Sequence, residues 1–221
     1  MFGNVIADAA LYAVPLLFGV VAHEVAHGWV AEKCGDPTAR LQGRLTLNPF
    51  VHIDLIGTVI VPLLLIISRS PFLFGWAKPV PVNYANLRGG RRDMALVALA
   101  GPVTNLLMVV VSAFVYNLIP QGFHRGWWDE GSGLLWLLEP LFRMAYYSVR
   151  FNLMLTLFNL IPIPPLDGGH VLMGVLPFKW AYQMEKLEKF GFLIVLLLLW
   201  TGAWGTVMGP IFSALLRFFV K

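Results

Sequence analysis

A single cysteine, Cys34, among 221 residues excludes an intrachain disulfide and any metal site built from clustered thiolates. It reads as an unreactive residue at a helix end. Charge is scarce too: Asp, Glu, Lys and Arg make up only 13% of the chain, against about 25% in ordinary soluble domains. With 58% hydrophobic side chains and a mean hydropathy of +0.72, a soluble globular domain is excluded. The sequence has no internal repeat, no low-complexity tract and no polar stretch longer than a loop. We therefore expect one membrane domain over residues 1–221, with a core at about 4–176 and a C-terminal membrane helix or helical hairpin at about 184–219. The first apolar run lacks a basic leader, which argues against a cleaved signal peptide. A net charge of +4 and a pI near 9.4 would suggest nucleic acid in a soluble chain. Here the basic residues sit in short loops between apolar runs, where they set orientation, so no nucleic-acid partner is expected.

What is present in quantity is apolar sequence. Val5–Val30, Met94–Ile119, Leu134–Ile161 and Phe190–Phe219 each reach the ~20 residues a helix needs to cross a bilayer. The fold class expected is an all-α polytopic membrane protein. The run Ile53–Ile67 is shorter and contains Gly57 and Pro62. If it crossed, the loop with Lys33, Arg40 and Arg44 would lie opposite the loop with Arg69, Lys78, Arg88, Arg91 and Arg92. If it dips in and returns, both loops join Lys179, Lys186 and Lys189 on the cytosolic side, and Gln121–Gly133, with one arginine against Asp129 and Glu130, falls outside. The positive-inside tendency favours this re-entrant arrangement. Because "WTGAWGT" at Trp200–Thr206 interrupts the last run, five or six membrane helices are expected. Trp127, Trp128, Trp200 and Trp204 mark membrane interfaces. The alternation in "RLTLN" and "KPVPVN" predicts short extended strands around Leu45–Asn48 and Val80–Asn83.

Against this background "AHEVAH" stands out. His23 and His27 are four apart, which on a helix puts both imidazoles on one face, close enough to hold one divalent ion. Glu24 follows His23, placed to take a proton from water on that ion without being a ligand. The same pattern arises by chance on solvated helices, but ionisable groups at membrane depth cost several kcal/mol unless paired or metal-bound. A catalytic zinc site wants three protein ligands and an open position. Asp8, His52, Asp54, Asp167 and His170 are the acids and histidines within or beside apolar runs. Asp167 is the best of them: in "NLIPIPPLDGGHVL" the prolines Pro162, Pro164 and Pro165 forbid a regular helix, and Gly168 and Gly169 allow close backbone approach or positive φ. Irregular backbone at that depth must line a cavity or be buried in protein. The competing role for Asp167 is a helix N-cap, and His170 is a lesser candidate ligand.

Taken together, "HEVAH", "LAGPVTNLL" and "NLIPIPPLDGGHVL", with "GRLTLNPFVHID" and "FGWAKPVPVN" between them, resemble the site-2 protease family of intramembrane zinc metalloproteases, in its short prokaryotic branch. The similarity extends from about Phe18 to about Leu176. The resemblance implies one zinc ion held by His23, His27 and Asp167, Glu24 as the group that activates water, and a site opening toward the cytosol of a multi-pass protein in the cell membrane. It also implies that Asn159 hydrogen-bonds the scissile carbonyl or its oxyanion, the alternative being an asparagine that satisfies carbonyls freed near Pro162. Gly101 and Asn105 match the family's Gly-x-x-x-Asn pattern, which we read as helix packing around the site. The expected partners are a membrane-spanning substrate segment and the lipid bilayer. No stretch has the size of a PDZ-like or nucleotide-sensing domain. The expected function is intramembrane endopeptidase activity. Two alternatives stay open: a metal-binding scaffold or transporter, which does not require Glu24, and a prenyl-protein protease, against which "PPLDGG" argues.

Overall fold

A computed structural model describes residues 2–69, 75–128 and 133–221. Asp129 and Glu130, part of the predicted outside segment, lie outside the described residues, as does the side chain of Asp8. The described chain is all-helical: α1 (Phe2–Lys33), α2 (Thr38–Leu41), α3 (Val61–Ile67), α4 (Arg91–His124), α5 (Leu135–Asn159), α6 (Asp167–Val175), α7 (Phe178–Trp200) and α8 (Ala203–Phe219). Short 3₁₀ turns at Pro49–His52 and Tyr84–Asn86 and a π turn at Leu55–Ile60, which runs into α3, fill the connections.

The five or six membrane helices expected are not all matched by length and apolarity. Among the described residues, Ala10–Lys33 of α1 and the whole of α4 are long and apolar enough to cross a membrane, and α7 with α8, bent by 73° at their junction, add a third if the pair counts as one span. Helix α5 is long, but Glu139, Arg143, Arg150 and the buried Asn152 interrupt its apolar character. The π turn and α3 together are too short to cross as a straight helix.

The predicted strands are absent among the described residues. The alternation in "WAKPVPVN" is nonetheless put to use, because the N–H groups of Trp76, Lys78 and Val80 find partners that are not strands. Trp76 donates to the Gly57 carbonyl (3.1 Å) and Lys78 to that of His52 (2.8 Å). Val80 donates to the Glu24 carboxylate (2.8 Å), while Pro79 and Pro81 have no N–H to offer a ladder. Around Leu45–Asn48 the chain makes a local turn instead: the Thr46 carbonyl accepts from His52 Nε2, and Asn48 Oδ1 accepts from Phe50 N as the cap of the 3₁₀ turn.

Helices α1, α4 and α5 pack on one another, and α6 lies against α4. Val109 and Ala113 of α4 meet Val149 and Leu153 of α5 in a fully buried cluster, covered by Phe212, Leu215 and Leu216 of α8. A second cluster, Ala31, Leu87 and Val97, locks the end of α1 against the start of α4. Buried Asp36 fastens the loop after α1, accepting from Thr38, from Asn86 Nδ2 (2.8 Å) and from Asn83 N (2.7 Å). Burial pushes its carboxyl up, but these hydrogen bonds outweigh it and hold the group below the usual carboxylate range. Cys34 sits just past α1, half-buried and free, and burial with the nearby Asp93 charge keeps its thiol protonated above the ordinary range.

Candidate metal centre

The i, i+4 spacing of His23 and His27 does what helix geometry dictates: both imidazoles leave α1 on the face turned to α4. There they meet a matching face of α4 with the same periodicity, Val97, Gly101 and Asn105. His27 Nδ1 donates to the Val97 carbonyl (2.7 Å). His23 Nδ1 donates to Asn105 Oδ1 (2.6 Å). Gly101 lies between them, and a Cβ built there would come within 2.4 Å of His27 Nε2 and 2.6 Å of His23 Nε2. Glycine is required at this place because the imidazoles fill the space a side chain would take.

Asp167 arrives from the other side, as the first residue of α6. The proline-rich break at 160–166, with Pro164–Pro165 in the cis form, ends α5 and restarts the helix at the aspartate. Of the two uses foreseen for Gly168 and Gly169, the structure makes the close approach, since a Cβ on either would strike backbone of the break, the Leu160 carbonyl for one and Pro164 N for the other. Helix α6 is pinned to α4 at its far end, where Arg91 Nη2 donates to the carbonyls of Met173 (2.6 Å) and Leu176. Gly174 faces Ala95 there at a distance that leaves no room for a methyl group.

The three side chains converge. The ligand atoms of His23, His27 and Asp167 lie within 4.8 Å of one another. His23 Nε2 is 3.0 Å from His27 Nε2 and 3.1 Å from Asp167 Oδ2, and His27 Nε2 is 3.4 Å from Asp167 Oδ1. Two ligands about 2.0–2.1 Å from a tetrahedral zinc ion are about 3.3 Å apart, so these separations fit one such ion. The hydrogen bonding fits as well. With both Nδ1 atoms committed as donors, the two imidazoles in their neutral form present Nε2 lone pairs to each other and to a carboxylate, an arrangement that a cation among them would satisfy. Asp167 Oδ2 is buried and accepts no hydrogen bond, a position that a metal ion satisfies.

The other candidates are occupied elsewhere. Glu24 stands outside the cluster, half-buried, its Oε2 accepting from Val80 N at 2.8 Å. Asn159, the last residue of α5, donates through Nδ2 to the Leu155 carbonyl of its own helix (3.1 Å). His170 donates from Nδ1 to the Leu166 carbonyl, stacks on Tyr84 at 5.8 Å and has Nε2 4.0 Å from Glu188. His52 is buried against the Thr46 carbonyl, and Asp54 caps the π turn by accepting from Gly57 N. Sequence reasoning did not single out the Val97 carbonyl, Asn152 or Arg91's hold on α6. For Asn152, an asparagine in the middle of an apolar run was the available signal.

The profile of Peptidase family M50 matches residues 133–202. YwhC of Bacillus subtilis (strain 168), named as a candidate zinc metalloprotease, is 36% identical over 201 residues, covering 91% of this chain and 85% of YwhC. Rip2 of Mycolicibacterium smegmatis, similarly named, is 28% identical over 187 residues, 85% of this chain and 65% of its own length. MJ0611 of Methanocaldococcus jannaschii, again similarly named, is 27% identical over 179 residues, 81% of this chain and 76% of its own. No solved structure gives a significant match.

Proposed function

Since the chain belongs to peptidase family M50, the site-2 protease family, and is a membrane-associated zinc metalloendopeptidase, we propose that it cleaves peptide bonds within membrane-spanning segments of its protein substrates. In this reading His23, His27 and Asp167 hold one zinc ion per chain. The observation that carries it is the convergence of two Nε2 lone pairs and an unbonded carboxylate oxygen across Gly101, with both Nδ1 atoms anchored to α4.

Zinc, when bound there, supplies a Lewis acid that makes water acidic near neutral pH and polarises a carbonyl. The protein supplies the remainder. Glu24, next to His23 but free of the ligand cluster, takes the proton of the attacking water and returns it to the leaving amine. Val80 N–H fixes one oxygen of that carboxylate and leaves the other for the proton. Asn159 steadies the developing oxyanion once its amide leaves the Leu155 carbonyl for the substrate. The stretches Leu45–Asn48 and Val80–Asn83, the second of which bonds Glu24 through Val80 N, are the proposed seat of an unwound substrate segment.

We further read residues 1–221 as one domain, multi-pass, with Ile53–Ile67 re-entrant and the site open to the cytosol. The short π turn and α3 and the distribution of basic loops support that orientation. The substrates are membrane-spanning segments of other proteins, as in the class to which the family's motifs point.

The test is cleavage of single-span reporter proteins in liposomes by the purified protein, with zinc quantified, comparing wild type and Glu24→Gln. The variant is expected to keep its zinc and lose about 10²–10⁴-fold in rate. Undiminished cleavage by zinc-loaded Glu24→Gln would remove Glu24 from the mechanism, and zinc binding without cleavage of any reporter by wild type would favour a metal-binding scaffold.

A further inference from the structure

Behind His23 the hydrogen bonding continues. Asn105, fully buried in α4, accepts from His23 Nδ1 and donates through Nδ2 to the Gly19 carbonyl (3.1 Å) and to Asn152 Oδ1 (2.8 Å). Asn152, fully buried in α5, donates in turn to the Ser148 carbonyl (2.8 Å) and lies 3.2 Å from Ser148 Oγ, which is bonded to Ser112 Oγ. The two candidate histidines are therefore held differently. His27 is bonded to a backbone carbonyl, which can only accept, so its tautomer is set outright. His23 is bonded to a side-chain amide, which presents an acceptor or a donor according to which way it is turned. Turned the wrong way, Asn105 would offer N–H to His23 Nδ1, place the ring proton on Nε2 and remove the lone pair from the cluster.

We propose that Asn152 is a positioning residue for the metal site: by accepting from Asn105 Nδ2 beside the Gly19 carbonyl, it helps hold the Asn105 amide with Oδ1 turned to His23, and so supports the tautomer with which His23 faces the ion. The inference rests on the proposed role of His23 as a ligand. The direction of this hydrogen-bond chain follows from two backbone carbonyls, those of Ser148 and Gly19, which can only accept. The Ser148 carbonyl can only accept, so Asn152 presents its NH₂ there and its Oδ1 to Asn105. Asn105 then presents its NH₂ to Asn152 and to the Gly19 carbonyl, and its Oδ1 to His23. The chain also ties α5 to the contact between α1 and α4, with no space to spare: a Cβ on Gly19 would lie 2.7 Å from Asn152 Oδ1.

The experiment measures zinc affinity by chelator competition on the purified full chain in detergent, with helix content checked, for wild type, Asn105→Leu, Asn152→Leu, the double variant, Asn152→Asp and His23→Ala. Leucine keeps the volume and removes the hydrogen bonds; aspartate keeps the acceptor. Partners behind a ligating histidine are typically worth about 10- to 100-fold in metal affinity, and Asn152→Leu, one link further back, is expected to lose about tenfold. The double variant should bind as Asn105→Leu does, because the chain is already cut next to His23, and Asn152→Asp should bind as wild type. A packing role predicts the reverse order, with a buried acid worse than leucine. Wild-type affinity in Asn152→Leu would overturn the proposal, as would independent losses that multiply in the double variant. If either Asn152 variant misfolds, the other and Asn105→Leu decide the matter. Undiminished zinc binding by His23→Ala would refute the ligand assignment itself, a result distinct from failure of the Asn152 arms.

Discussion

Gly101→Ala tests the reading of the metal centre with one methyl group. The added Cβ would stand 2.4 Å from His27 Nε2, 2.5 Å from His23 Cε1 and 2.6 Å from His23 Nε2. Non-bonded heavy atoms rest at about 3.5 Å or more, so roughly 1 Å of movement is needed, either by α1 leaving α4 or by the imidazoles turning away. Overpacking of this kind costs about 1–3 kcal/mol. The two routes have different readouts. If the helices part, the bonds from His27 to Val97 and from His23 to Asn105 stretch and the apo protein melts at lower temperature. If the rings turn, the apo protein keeps its stability and the cost falls on metal binding, where the same 1–3 kcal/mol is a loss of about 5- to 150-fold. Zinc titration against a competing chelator, beside thermal melting of the apo and zinc-loaded forms, separates the two. Gly205→Ala in α8, where a Cβ meets nothing within 4 Å, is the control and should leave both quantities unchanged. Wild-type melting and wild-type zinc affinity together in Gly101→Ala would refute the argument that α4 closes on the histidines at this point.

Two further outcomes are expected. Val80→Pro deletes the N–H that holds Glu24 Oε2; reporter cleavage should drop about tenfold or more, the worth of one hydrogen bond to a charged group, while zinc content stays the same, and unchanged cleavage would show that the carboxylate needs no such partner. Arg91→Ala removes the guanidinium that binds the Met173 and Leu176 carbonyls; melting should reveal a loss of about 1–3 kcal/mol and zinc affinity should fall with it as α6 loosens, whereas an unaltered melting temperature would mean that Gly174 packing alone secures the helix.

What could be read from the sequence follows from how local each signal is. The spacing of His23 and His27 is a property of one helix, and the prolines at 162–165 forbid a helix whatever surrounds them, so a histidine pair on one face and an interrupted backbone before Asp167 were both legible. Bringing the pair and the aspartate together is a long-range event that no spacing encodes; the proline break and the few other acids and histidines pointed to Asp167, and the family likeness agreed. The alternation in "KPVPVN" is a local signal as well, yet it specifies where N–H groups point and not what they meet; the partners proved to be turn carbonyls and the Glu24 carboxylate in place of a strand. Arg143, Arg150 and Asn152 within α5 keep that helix from passing as a span on length and composition, although its apolar run was legible in the sequence. Asn105 looked like packing, since its amide could not be assigned to His23, 82 positions away, without the fold.

The attachments to α4 have a consequence for motion. His27 refers to Val97, His23 to Asn105, and α6, which bears Asp167, refers to Arg91 and Ala95. All three candidate ligands thus share one datum, helix α4, and keep their register with each other when an element not attached to it shifts. Glu24 takes its bearing from Val80 instead, on a stretch of non-helical backbone. Displacement of residues 75–83 by an incoming chain would therefore break the bond that aims Glu24 and none of the bonds that hold His23, His27 and Asp167, so the alignment of the proposed base can respond to occupancy while the candidate metal centre keeps its shape.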